Sequence, residues 1–167
     1  VIIRPETADD ITAIRVLTNA AFAGVPYSDG TEAEIVDRLR SDGALTVSLV
    51  AEIDGVVVGH VTFSPVEIAD GAQNWFGLGP VSVDPGRQKG GIGTTLVKAG
   101  LDQLRKAGAN GCVLLGDPGY YGRFGFRHHD ALTFPGPPPE YFLALALRGS
   151  LASGIVQYHK AFYGAAA

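Results

Sequence analysis

The chain has 167 residues, 46% of them hydrophobic and 18% charged, with a formal net charge of −4. This balance describes a globular protein, most simply a single domain over residues 1–167, and excludes a disordered chain. The 13 Lys and Arg residues are scattered, which argues against a nucleic-acid-binding face, and no apolar run has the length of a membrane span.

Residues 1–4 read as a short strand. Thr7-Ala8-Asp9-Asp10 has the acidic first turn of a helix, which Ile11, Ile14, Leu17 and Ala21 continue at helical spacing. Pro26 and Gly30 punctuate a loop. Thr31-Glu32-Ala33-Glu34 has the spacing of a capping box and opens a second helix, with Ile35, Val36 and Leu39 on its apolar side. Residues 46–53 and 56–64 read as strands joined by Asp54-Gly55, a hairpin turn. Residues 76–83 form a further strand. Residues 92–107 carry Leu96, Val97, Ala99, Leu101 and Leu104 as a packed helix would, and Gly108 is its C-terminal stop. Residues 112–115 are a short strand of the kind buried on both faces. An aromatic segment, Tyr120 to Phe126, and a rigid Pro-rich turn, Pro135 to Pro139, precede a strand at 141–147 and a last short element at 155–163. The order is β-α-α-β-β-β-α-β-(short α)-β-β, an α/β arrangement around one mixed sheet.

Val81 to Thr94 is the most informative stretch. It reads as a strand end, a Pro85-Gly86 turn, a basic loop through Arg87, Gln88 and Lys89, and three glycines at 90, 91 and 93 before a helix. Bare glycine backbone lets N–H groups approach an anion closely, and the helix start adds unpaired N–H groups and a positive dipole end. A phosphate-bearing ligand is the expectation. The spacing is wrong for a P-loop, whose Lys follows its glycines, and wrong for G-x-G-x-x-G.

Taken as Gln88-x-x-Gly91-x-Gly93, the loop resembles the pyrophosphate loop of the GCN5-related N-acetyltransferases (GNAT). Gly116 to Phe126 and the Pro-Pro-Glu-Tyr-Phe segment at Pro138 to Phe142 are similar to motifs of the YhbS-like bacterial subgroup of that family. The resemblance covers nearly the whole chain. It implies a single-domain mixed sheet with splayed fourth and fifth strands, helices on both faces, and acetyl-CoA as co-substrate in the wedge. It implies backbone partners for pantetheine at Val81, Ser82 and Val83, and a pyrophosphate cradle from Gln88, Lys89, Gly90, Gly91, Gly93 and Thr94. It also implies acetyl transfer to an amine by direct attack, with a small-molecule or peptide acceptor. An acyl-CoA-binding regulatory module without catalysis is the alternative.

Acetyl transfer needs a neutral amine, a donor for the oxyanion and a proton for the leaving thiolate. By the resemblance, the proton donor is Tyr121, four residues before Gly125-Phe126; read on its own, Tyr121 is a packing aromatic. Tyr120 is expected to pack or to line the acceptor pocket, and Asp117 to cap a short helix. The general base is open among Glu34, Glu52, Glu67 and His60. His128 and His129 are adjacent on a strand and face opposite sides, so they do not form a metal pair, and no metal is expected. Cys112 is the single cysteine, which rules out an internal disulfide, and it sits in an apolar strand. Arg4, Glu6, Asp9 and Asp10 interrupt any apolar leader, so the expected compartment is the cytoplasm. A homodimer paired through the C-terminal apolar strand is one assembly that the pattern allows.

Overall fold

A computed structural model describes residues 1–164. Strand β1 (Ile2–Pro5) leads through a 3-10 turn at Ala8–Asp10 into α1 (Ile11–Phe22) and α2 (Glu32–Ser41). Strands β2 (Val47–Ile53), β3 (Val56–Ile68) and β4 (Trp75–Val83) follow, then α3 (Ile92–Lys106) and β5 (Gly111–Leu115). The remainder is a one-turn helix α4 (Pro118–Tyr121), two short strands β6 (Arg127–His128) and β7 (Leu132–Thr133), β8 (Phe142–Ala146) and β9 (Gly154–Tyr158). The main sheet runs β1-β2-β3-β4-β5-β8-β6. The pair β4–β5 is parallel and its neighbours are antiparallel, so the sheet is mixed.

Alternation along the strands sends one set of side chains to each face. Leu49, Val61 and Phe63 meet Leu96, Leu101 and Leu104 of α3 in the larger core. Gly100 permits this close approach: a Cβ there would lie 2.1 Å from the Phe63 ring. On the opposite face Ile14, Val36 and Val50 form the contact with α1 and α2. That second face is unusually polar. His60, Thr62, Ser64 and Ser82 are all buried there, with Thr18 of α1.

One ion-pair network ties the helices to this polar face. Glu6 accepts from Arg40 at 2.8 and 3.1 Å and from the Ser48 hydroxyl. Ser48 Oγ is 2.8 Å from His60 Nε2. Asp37 links Arg40 of its own helix to Arg15 of α1. Burial pushes the Glu6 carboxyl up, but the hydrogen bonds from His60, Arg40 and Ser48 outweigh it and leave it far below the usual range. At the edge, Arg4 bridges Asp10 and Glu52. The Arg4 hydrogen bond, joined by one from Thr7, lowers Asp10 to about 2 despite its burial.

Three sequence expectations change. The third strand runs four residues beyond 64, through Pro65, because pairing moves at that point from β4 to β9. A proline without an N–H is tolerated where a ladder changes partner. The capping box at Thr31 does not form: the Thr31 hydroxyl donates back to Asp29 at 2.5 Å, and Glu34 pairs instead with Arg38. The C-terminal strand β9 is taken up within the chain, by β7 at Gly154 and Ile155 and by β3 from Val156 to Tyr158. The last short element expected at 155–163 is thus a strand to Tyr158 followed by a 3-10 turn at Lys160–Tyr163.

Candidate active site

The hydrogen-bonded contact between β4 and β5 is short. It covers Trp75, Phe76 and Gly77 against Gly111, Cys112 and Val113, and then the two strands part. From residue 78 to 83, β4 keeps β3 on one side only, and the register with β3 slips by one between Val61 and Phe63. A parallel pair that opens after three residues leaves a wedge with unpaired backbone groups on its walls. Val81 and Val83 are half-buried along this wall. Ser82 contributes only backbone, because its side chain is buried toward α1, 3.5 Å from Thr18 Oγ1.

The glycine-rich loop lies at the end of β4. Asp84 caps a 3-10 turn at Pro85–Arg87 by accepting from Gly86 N–H at 2.8 Å. Gln88 is exposed and its amide donates to Val83 O at 3.2 Å, which folds the loop back over the strand end. Lys89 (φ 68°) and Gly91 (φ 87°) adopt left-handed backbone, and this curls the loop into the start of α3. The first helical bond at this end is Thr95 N–H to Gly91 O, 3.0 Å. The N–H groups of Ile92, Gly93 and Thr94 precede it and are free for an anion. No acidic side chain lies in that first turn. At Gly93 a Cβ would lie 3.6 Å from Val83 and 3.7 Å from the Tyr120 hydroxyl, in ordinary contact, so glycine here does not relieve a clash. Gln88, Lys89, Gly90, Gly91, Gly93 and Thr94 therefore come together in one concave basic loop, and Arg87 and Lys89 are exposed beside it.

The segment after β5 places two tyrosines. Asp117 caps α4 by accepting from Gly119 N–H at 2.9 Å, as its position suggested. On this single turn Tyr120 and Tyr121 diverge, ring edge to face at 4.9 Å. Tyr120 packs, as one of its two expected roles had it. Its hydroxyl is 2.8 Å from Thr94 Oγ1 at the start of α3, and Arg123 stacks on its ring at 4.2 Å. Tyr121 turns the other way, between Phe124 and Phe126 and against Gly116. Burial, with Tyr120 and Tyr27 nearby, pushes its phenol up to about 12. It therefore carries its proton throughout the neutral range.

The other sequence candidates are engaged elsewhere. Glu34 is exposed and paired with Arg38, Glu52 is paired with Arg4, and Glu67 is exposed opposite Gln157. His60 is buried in the Ser48–Glu6 network. His128 pairs with Asp130, and His159 accepts from Ala161 N–H. Cys112 is fully buried, and burial pushes its thiol up, which removes it as a nucleophile. Among the described residues, no group of three or more His, Cys, Asp or Glu side chains could hold a metal ion.

One carboxylate escaped the sequence reading. Glu32 lines a cleft of about 300 Å³ with Ile35, Pro80, Leu115 and several aromatics. Leu115 also borders a hollow of about 610 Å³ with Tyr27, Pro138 and Tyr141. Ile35 is one helical turn from Glu32, so both fall on the same face of α2. That spacing was the available signal.

Known proteins share this arrangement. Residues 11–126 match the model of the acetyltransferase (GNAT) family. The chain is 37% identical to the N-acetyltransferase YhbS of Escherichia coli (strain K12), over 96% of this chain and 98% of that protein. A crystal structure of E. coli YhbS in complex with CoA superposes with a TM-score of 0.88 at 36% identity, covering 98% of this chain and 92% of that one. A GNAT family acetyltransferase from Brucella melitensis, in complex with acetyl-CoA, is 53% identical with a TM-score of 0.86, covering 96% and 97%. The wedge, the loop and these matches together make the chain a member of the acetyltransferase (GNAT) family.

Proposed function

We propose that this protein is an acetyl-CoA-dependent N-acetyltransferase working by direct attack of an amine on the thioester, with Tyr121 as proton donor. The carrying observation is the β4–β5 wedge that opens beyond Gly77 and ends at the free N–H groups of α3. The likeness to proteins solved with CoA and acetyl-CoA supports the same ligand here.

The residues present fit that co-substrate. The α3 N-terminus and the loop from Gln88 to Thr94 receive the pyrophosphate. The backbone of Val81, Ser82 and Val83 runs beside the pantetheine amides. Unpaired β4 N–H groups stabilise the carbonyl oxygen as it gains charge. The amine nitrogen lone pair forms the new N–C bond, and the C–S pair leaves on sulfur. Tyr121 gives its phenolic proton to that sulfur, and a proton from the nitrogen, passed directly or through water, restores the phenol. The buried thiol of Cys112 supports a one-step transfer with no acyl-enzyme, and a lone reduced cysteine is in keeping with a cytoplasmic setting.

Thiol release from acetyl-CoA across a panel of amines is the test. Tight CoA binding with no thiol release for any amine would identify a binding module instead.

A further inference from the structure

We infer that Arg123 holds the 3′-phosphate of the donor, so that this protein tells coenzyme A from its 3′-dephospho form. This rests on the acetyl-CoA reading and adds a contact outside the glycine-rich loop. Arg123 lies in the 3-10 turn Gly122–Phe124 that follows α4. Its guanidinium stands 4.2 Å from the centre of the Tyr120 ring. Its Nε–H donates to Tyr120 O at 2.9 Å. The same ring is anchored through its hydroxyl, since Tyr120 Oη is 2.8 Å from Thr94 Oγ1. These contacts fix a cation beside the first turn of α3, where the free N–H groups of Ile92, Gly93 and Thr94 face an anion.

Among the described residues Arg123 has no acidic partner, and neither have Arg87, Lys89, Lys98, Lys106, Arg127 and Arg148. What sets Arg123 apart is that it is held. Its side chain has a hydrogen bond and an aromatic ring against it, and none of the others has either. A free lysine or arginine must give up side-chain freedom to meet a phosphate, and Arg123 has already given it up. Its Nε–H is used, while the N–H groups on its terminal nitrogens are uncommitted. That planar fork matches two oxygens of a phosphate. Asp117 caps the preceding turn by accepting from Gly119 N–H and forms no ion pair with Arg123. Arg123 is exposed, so a ligand reaches it from solvent. Position selects the phosphate. The pyrophosphate meets the loop and the α3 N–H groups. The guanidinium is set off from Thr94 by one ring and one hydrogen bond. In coenzyme A the 3′-phosphate is set off from the pyrophosphate by one ribose, a comparable span, and it is a separate anion of the same ligand.

The test is calorimetric titration of coenzyme A and of 3′-dephospho-coenzyme A into the wild type and Arg123→Gln. The wild type should bind coenzyme A about tenfold or more tightly than the dephospho form, as fits a charge-assisted hydrogen bond. Arg123→Gln should weaken coenzyme A about tenfold and leave the dephospho form within about twofold, so that the two ligands bind nearly alike. A role confined to propping the Tyr120 ring would weaken both ligands equally, and so would a contact with the pyrophosphate. Either result overturns the assignment, as does a wild type that binds the two forms equally. In those cases coenzyme A still binds, and the acetyl-CoA reading stands without this contact. A wild type that binds neither form removes that reading and the contact with it. Should Arg123→Gln fail to fold, Arg123→Lys, which keeps the charge and loses the planar fork, should weaken coenzyme A alone about threefold. Equal weakening of the two ligands in that variant overturns the assignment in the same way.

Discussion

Thr94 Oγ1 and Tyr120 Oη lie 2.8 Å apart, so the tyrosine beside the proposed proton donor is tied to the donor loop. This contact commits one of two adjacent phenols to the start of α3. Tyr120 is held at the start of α3 by Thr94 below and by the Arg123 guanidinium above its ring. Tyr121 makes no side-chain hydrogen bond among the described residues, which leaves its hydroxyl uncommitted for the proposed donor role.

Substitution separates the two. Tyr121→Phe is expected to lower kcat by about tenfold or more while leaving the acetyl-CoA dissociation constant within about twofold. Tyr120→Phe is expected to do the reverse, weakening acetyl-CoA about two- to tenfold through the lost hydrogen bond at Thr94 and changing kcat little. Calorimetry and single-turnover rates distinguish the outcomes, and an unchanged kcat in Tyr121→Phe removes it from the mechanism.

Gly91 and Gly93 should respond differently to a side chain. Gly91 sits at φ 87°, where an L residue is strained, and its N–H environment favours an anion. Gly91→Asp should abolish CoA binding by calorimetry, through strain and through a negative charge in the cradle. Gly93→Ala meets nothing nearer than 3.6 Å and should retain CoA binding within about threefold. Equal loss in both would show that the cradle is not built on the geometry described.

The pH dependence of turnover follows from the Tyr121 environment. Its phenol is raised to about 12, chiefly by burial. The proton-donor form therefore persists as pH rises past the ordinary tyrosine value of about 10. The rate should climb as the amine deprotonates and show no tyrosine-dependent fall below about pH 11. A descending limb near pH 10 that vanishes in Tyr121→Phe would contradict this.

Acid stability should depend on Glu6 and Asp10. Both have folded-state pKa values below their unfolded ones, so each contributes stability above about pH 4 that is lost as pH falls. For Asp10 the loss extends down to about 2. Glu6→Gln should cost about 1–3 kcal/mol at neutral pH, since it strips Arg40 of a half-buried partner. It should also flatten the acid limb, measured as urea midpoint against pH. A parallel downward shift with an unchanged slope would assign the acid limb to other carboxylates.

Packing of α3 on the sheet depends on the absence of a side chain at Gly100. A Cβ there would fall 2.1 Å from Phe63, which is fully buried. Gly100→Ala gains helix propensity but must displace that ring. A net loss of about 1–3 kcal/mol in denaturant unfolding is expected, and a gain would mean the ring can move at no cost.

The donor half of the site was legible because it is local. Glycine and proline positions from Val81 to Thr94 act on the backbone within a few residues, so the loop, its concavity and the helix that follows can be read from neighbours in the chain. The same holds for the order of the main elements. Short strands fared worse. β6 and β7 are two residues each, and they exist only because β8 and β9 arrive alongside. The capping box at Thr31 failed for a related reason: Asp29 in the preceding loop takes both the Thr31 N–H and the Thr31 hydroxyl.

Sequence alone therefore determined the glycine-rich loop and helix start where the phosphate-bearing donor is proposed to sit, since those features lie in contiguous backbone. Tertiary structure alone decided where β4 and β5 part and which of the two tyrosines is tied to the start of α3. Those are outcomes of long-range pairing and packing. The wedge depends on Gly77 being the last β4 residue to pair with β5, some thirty-five residues on in the chain. The Glu32 cleft is assembled from α1, α2, β4, the end of β5 and the C-terminal residues, which no local pattern brings together.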